Sequence, residues 1–143
     1  MRGSAKDAWL RPCGRDKGGF PEVALHRYSK TGIMLKPVEW VGDSRKTVRS
    51  FAAGARAQAG RELFRLQAGA DPLDWRPMRA IGPGACEIRI HAGSEHRLIY
   101  VAKYAEAIYV LHAFTKKSQA TRLQDIRMAK ERYRAMLESR GDK

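Results

Sequence analysis

The sequence predicts an α+β domain: a small antiparallel sheet with an N-terminal helix or helical hairpin and a C-terminal helix. Three observations predict it. Apolar residues recur at helical spacing from Val48 to Leu66 and again from Ile126 to Leu137. Between those stretches lie three strand-like runs, at 86–91, 97–102 and 107–114. Short turn-forming connections separate the runs, as in a meander. Helices before and after a meander are expected to pack on one side of the sheet and leave the other open.

Residues 36–41 alternate enough for a short first strand, with Val38 and Trp40 on one side. Pro37 puts it at a strand start or an edge, because proline cannot donate to the ladder. Asp43 or Ser44 can cap the helix that follows. Its apolar positions are Val48, Phe51/Ala52, Ala55, Ala59, Leu63 and Leu66, while Arg45, Lys46, Arg49, Arg56, Arg61 and Arg65 fall mostly elsewhere. Gly54 and Gly60 weaken the helix and point to a split into two. Gly69 and Asp71-Pro72 stop it. Residues 71–84, with three prolines and Trp75, read as a loop.

In the strand at 86–91, Ile88 and Ile90 face one way and Glu87, Arg89 and His91 the other. Ala92-Gly93-Ser94-Glu95 makes a hairpin turn. Leu98, Tyr100 and Ala102 then alternate with Arg97, Ile99 and Val101, and Ala105-Glu106 makes a second tight connection. Residues 107–114 are apolar on both faces, which suits a central strand. Thr121 with Gln124 forms a capping box for the last helix, whose apolar stripe is Ile126, Ala129, Tyr133 and Leu137. There are no internal repeats.

A chain of 143 residues has room for one core. Its formal net charge of +13 and pI near 10.3 favour a polyanionic partner. No apolar run approaches the roughly 18 residues of a membrane span, and residues 1–19 lack the apolar segment of a signal peptide. The expected compartment is the cytoplasm, with no membrane partner. Cys13 and Cys86 have no metal-ligand spacing and read as reduced thiols. Residues 1–33 carry little hydrophobic periodicity and read as a flexible basic tail ahead of a domain at 34–143. Either translation begins at Met34 and the tail reflects a mis-called start, or the tail is a basic arm adding affinity for nucleic acid. With seven Lys/Arg and three Asp/Glu the tail contributes +4, so +9 remains on the domain.

The chemistry-bearing residues gather around the meander. If the hairpin pairs near its turn, Arg89 and Arg97 share a sheet face. Two guanidiniums there, with no matching row of carboxylates, form a cluster suited to phosphate, because the planar fork gives two parallel charge-assisted bonds. An ordinary surface ion pair of Arg89 with Glu87 or Glu95 is the plainer alternative. Lys116 and Lys117 leave the last strand beside this hairpin. His91 shares the face of Arg89, and His96 sits in the turn. Both are proton-transfer candidates, since imidazole titrates near neutrality. His112, mid-strand among apolar residues, reads as a buried, hydrogen-bonded histidine, and Tyr100 as a core residue. Arg122, Arg127, Lys130, Arg132 and Arg134 on the last helix fit a solvated face or a phosphate-tracking one. No Walker motif, dinucleotide loop or zinc spacing is present.

In order, Pro37-Val38-Glu39-Trp40, Ile81-Gly82-Pro83-Gly84, Cys86-Glu87-Ile88-Arg89-Ile90, Arg97-Leu98-Ile99-Tyr100, Val110-Leu111-His112-Ala113-Phe114-Thr115-Lys116-Lys117 and Asp125-Ile126-Arg127-Met128-Ala129 resemble the RelE/ParE superfamily of toxins, in particular its HigB-like, phage-associated branch. The likeness spans roughly residues 34–137. It implies a type II toxin–antitoxin system whose toxin is a metal-independent, ribosome-dependent mRNA endonuclease with no cofactor. It also implies a cognate antitoxin, often a helix-turn-helix protein. By the resemblance, Arg89 and Arg97 take the basic positions of the middle hairpin that bind the message and stabilise the five-coordinate phosphate; His91 is a catalytic candidate from its placement beside Arg89, and the identity of the general base stays open. Lys116 and Lys117 take the basic pair after the last strand that binds the message; Arg122 and Arg127 are RNA-binding candidates from the charge of the last helix. Two departures stand out. Glu87 replaces a lysine of some members, and residues 118–122 lack the tyrosine some members use. A ParE-like gyrase inhibitor and a non-catalytic RNA-binding module are the alternatives.

Overall fold

The computed structural model describes residues 35–117 and 121–141. The tail at 1–33, Met34, Cys13 and residues 118–120 of the tyrosine-free stretch at 118–122 lie outside the described residues. The elements are β1 (Val38–Trp40), α1 (Ser44–Arg49), α2 (Ala53–Gln67), β2 (Trp75–Pro77), β3 (Ala85–Ala92), β4 (Ser94–Val101), β5 (Ile108–Lys116) and α3 (Leu123–Arg140). The fold is α+β, with strand order β1-β5-β4-β3-β2. β1 runs parallel to β5, with Val38 opposite Ile108 and Trp40 opposite Val110, and the remaining pairs are antiparallel. The sheet is therefore mixed. As its apolar run suggested, β5 is interior, between β1 and β4.

The first helical stretch divides at Ser50–Ala52, ahead of both glycines proposed to split it. The Ser50 hydroxyl donates to the Thr47 carbonyl at 2.6 Å, and Ala52 is extended, with ψ 155°. Gly60 is buried inside α2. Phe51 plugs the corner, its ring 4.4 Å from that of His96.

Two apolar layers flank the sheet. On one face Ile88, Ile90, Leu98, Tyr100 and Val110 pack with Val48, Ala55, Ala59 and Leu63 of α1 and α2. On the other, Ile99, Val101, Tyr109, Leu111 and Phe114 pack with Ala129, Tyr133 and Met136 of α3. The expectation that all helices lie on one side is thus overturned: α3 takes the opposite face. Strand alternation explains it, because Leu98 and Tyr100 serve one layer and Ile99 and Val101 the other. The α3 stripe is Ala129-Tyr133-Met136, with Ile126 and Leu137 only half-buried. Thr121 is not its cap. Arg122 occupies that position without a side-chain cap bond.

The proline-bearing loop contains a strand that its sequence concealed. β2 pairs with β3, setting Arg76 opposite Glu87. It has three residues and ends in Pro77, which only a sheet edge tolerates. The β3–β4 turn is tighter than the four residues expected: Ala92 faces Ser94, and Gly93 supplies a φ of 82°.

Candidate functional site

β3 and β4 pair in a register that sets Arg89 directly opposite Arg97 and His91 opposite Glu95. Alternation carries Glu87 onto the same face. α3 packs across β5, so the β3 side of this face stays accessible.

Glu87 organises the cluster. Its side chain is fully buried, and three guanidiniums surround it. Arg76 Nε donates to Oε1 at 3.0 Å, Arg89 Nε lies 3.8 Å from the same oxygen, and Arg97 Nε lies 3.7 Å from Oε2. Arg97 is itself 8% exposed, and its Nη1 donates to the His96 carbonyl and to Glu95 Oε1, both at 3.1 Å. Arg89 is 33% exposed. Its Nη1 is 3.5 Å from Asp74 Oδ1, and its backbone N–H donates to the Asp74 carbonyl at 2.9 Å.

This corrects the expectation of guanidiniums without matching carboxylates. Glu87, Asp74 and Glu95 interleave with Arg76, Arg89 and Arg97, as the plainer reading of Arg89 foresaw. The physical reason is burial: guanidiniums this close in a partly dry layer need a counter-charge. Sequence reasoning missed Asp74 and Arg76 because they belong to the loop that hides β2. Glu87 was foreseen as a surface partner of Arg89 and as lost positive potential, and not as a buried carboxylate shared by three arginines.

His91 stands at the outer end, 51% exposed. Its Nε2 is 2.7 Å from Asp74 Oδ2 and its Nδ1 is 2.7 Å from Glu95 Oε2. The hydrogen bond to Asp74, then that to Glu95, raises its pKa above the ordinary 6.5. The same contact, with His91 as the leading partner and Arg97 second, lowers that of Glu95. His91 is thereby biased toward imidazolium near neutral pH. His96 is not in the turn but in β4, buried on the α1–α2 side, where its Nδ1 meets the Thr115 hydroxyl at 3.1 Å. Burial lowers its pKa, and it has no path to a ligand on the other face.

Lys116 pairs with Glu95 at the end of β5, and Lys117 follows it, exposed. The two lysines therefore flank the cluster. Arg122 lies apart, 3.4 Å from Asp125, and Arg127 is exposed on α3. Among the described residues no hydrogen bond or ion pair joins either to the β3–β4 cluster. Arg132 holds α3 in place, reaching Asp43 at 2.8 Å and the Leu111 carbonyl at 3.2 Å. His112 is hydrogen-bonded as expected but only partly buried, with Nε2 2.9 Å from Asp125 Oδ1. Among the described residues no group of three or more His, Cys, Asp or Glu side chains is arranged to hold a metal ion.

The family model described as Phage derived protein Gp49-like (DUF891) matches residues 46–134, more than half of the chain. The chain belongs to the Gp49-like family. This is a RelE-like toxin family, and the α+β fold with a C-terminal helix is compatible with it. Membership implies an antitoxin partner. The match runs from α1 into α3 and so includes every member of the Arg76, Glu87, Arg89, His91 and Arg97 cluster. No curated protein gave a match to this Gp49-like chain. No helix among its described residues is long and apolar enough to cross a membrane.

Proposed function

We propose that this chain is the toxin of a type II toxin–antitoxin pair, within the HigB-like branch, and that it cleaves mRNA on the ribosome. The observation that carries the reading is the direct opposition of Arg89 and Arg97 beside an imidazole held by two carboxylates. Carboxylates offset part of the charge, but Lys116 and the His91 imidazolium leave an excess of cations around the site.

The RNA 2′-hydroxyl attacks the adjacent phosphorus, leaving a cyclic phosphate and a free 5′-hydroxyl. Arg89 and Arg97 stabilise the five-coordinate phosphorus, with Lys116 and Lys117 on flanking phosphates. Loss of one such fixed charge is worth on the order of 10²-fold in rate, by analogy with an oxyanion-hole donor. His91 donates the proton to the departing 5′-oxygen. Both of its nitrogens are occupied at rest, so one carboxylate must let go. The released Asp74 or Glu95 is then the base at hand for the 2′-hydroxyl.

The compensated arginines favour one second reading, a ParE-like inhibitor that binds gyrase and has no need of them. Induction in cells separates the two: the nuclease leaves messages cut within codons, the gyrase inhibitor leaves them intact and raises DNA damage signalling. A non-toxic RNA-binding module does neither. Arg97→Ala should abolish toxicity. Because Arg97 is buried against Glu87, Arg89→Ala, at a partly exposed residue, and a melting curve accompany it. Full toxicity in both folded variants sinks the nuclease.

A further inference from the structure

Arg76 is a guanidinium of the Glu87 cluster to which the cutting reaction assigns no work. It lies on the edge strand β2, opposite Glu87. Its side chain is 47% exposed, against 33% for Arg89 and 8% for Arg97. Its Nε donates to Glu87 Oε1 at 3.0 Å, and among the described residues neither Nη has a hydrogen-bond or ion-pair partner. The Nη edge, with its two parallel donors, is the part of the fork that a phosphate takes.

The sheet register places Arg76 at the end of a diagonal. It pairs with Glu87, two residues before Arg89 on β3, and Arg89 faces Arg97 on β4. Glu95, two residues before Arg97, pairs with Lys116 on β5. Alternation keeps Arg76, Arg89, Arg97 and Lys116 on one face. One arginine or lysine from each of four neighbouring strands makes a file. The file is roughly 20 Å long, from a strand spacing of about 4.8 Å and a rise of about 3.4 Å per residue. Near its centre, Arg97 Nε and Glu87 Oε2 stand 3.7 Å apart, both buried without a hydrogen bond. A buried donor in that state calls for an explanation, and an arriving anion supplies one.

We propose that this file is the path of a single-stranded RNA backbone across the sheet, with Arg76 binding the phosphate at the β2 end, opposite the end held by Lys116 and Lys117. The inference rests on the nuclease reading for the place of the cut phosphate between Arg89 and Arg97, but not for the path itself. A single row of cations matches one backbone, whereas a duplex presents two. Arg76 and Lys116 grip the message on both sides of the reacting linkage, which holds that linkage in line. Phosphate contacts position a strand without reading it, so Arg76 acts alike on every base sequence.

The test measures binding of the full chain to a short single-stranded RNA, 2′-O-methylated so that it cannot be cut, across a salt series. Wild type is compared with Arg76→Gln, Arg76→Ala and Arg61→Ala. Glutamine carries its amide nitrogen where arginine carries Nε, so Arg76→Gln can keep the bond to Glu87 and loses only the Nη end. It should melt close to wild type. It should also bind about tenfold more weakly with a salt slope reduced by roughly 0.7, whatever the base sequence. Arg61→Ala is the control for lost charge, since Arg61 is exposed on α2 across the sheet, and it should keep the wild-type slope. Wild-type affinity and slope in Arg76→Gln overturn the proposal even where Arg76→Ala is weakened, because the residue then serves Glu87 alone. A wild type that fails to bind the RNA overturns it too. So does a polyglutamate peptide that binds as tightly as the RNA and is lost in Arg76→Gln, which would make the occupant an acidic protein. Intact messages in cells alongside the expected binding pattern would remove the nuclease and leave the RNA path standing.

Discussion

Arg89 and Arg97 face each other across β3 and β4, and both approach one buried carboxylate, Glu87. Glu87→Ala strips that counter-charge from Arg97, which is almost entirely enclosed. Breaking a buried pair from one side costs about 3–5 kcal/mol. Thermal unfolding should show a much lower midpoint for Glu87→Ala than for Glu87→Gln, whose amide oxygen can still accept from Arg76. Equal midpoints would mean the carboxylate is not the keystone of the arginine layer.

His91 should titrate above an ordinary imidazole because Asp74 and Glu95 hold its charged form. Its contribution to stability is therefore complete below pH 6.5 and fades as pH rises through the elevated folded value. Asp74→Asn removes the larger influence, so the His91 ring resonances should titrate at lower pH than in wild type. The alkaline limb of any cleavage profile should move the same way. An unmoved His91 titration would disprove the Asp74 contact.

Gly82 sits under Tyr133, whose hydroxyl donates to the Pro83 carbonyl at 2.7 Å. A Cβ at position 82 would come within 2.5 Å of the Tyr133 ring. Gly82→Ala should lower stability by about 1–3 kcal/mol through overpacking, measured as the midpoint of urea unfolding. Gly54→Ala is the control, because nothing lies within 4 Å of its Cβ position.

Glu106 joins the β4–β5 connection to the end of α3. Arg140 Nε donates to it at 2.6 Å and the Tyr109 hydroxyl at 2.8 Å. The Arg140 bond leads in pulling its pKa from 4.5 down to about 2. A depressed carboxylate stabilises fully above 4.5 and loses that contribution as pH falls toward 2. The stability gap between wild type and Glu106→Gln should be largest above pH 4.5 and close at acid pH. Denaturant melts across a pH series read it, and a gap independent of pH would contradict it.

Much of this fold was legible in the sequence. Period-two alternation in residues 86–91 and 97–102 put Ile88 and Tyr100 in the core and Arg89 with Arg97 on one face, and the structure agrees. The side taken by α3 was not legible, because an amphipathic stripe says which residues are buried and not which sheet face buries them. β2 escaped because three residues ending in proline carry no alternation. The compensation of the arginines escaped with it, since Asp74 and Arg76 reach the cluster through a pairing that local patterns cannot announce. The split of the first helix was foreseen but misplaced, because it falls where Ser50 bonds back to Thr47 rather than at a glycine.

The parallel pairing of β1 with β5 bears on the protein's own synthesis. Val38 finds its neighbour only when Ile108 has been made, so the β1 edge of the sheet is a contact between distant parts of the chain, slow to close. The β3–β4 hairpin, by contrast, assembles from adjacent residues. During translation the arginine-bearing hairpin therefore forms early, while the complete platform that supports it waits until β5 has emerged.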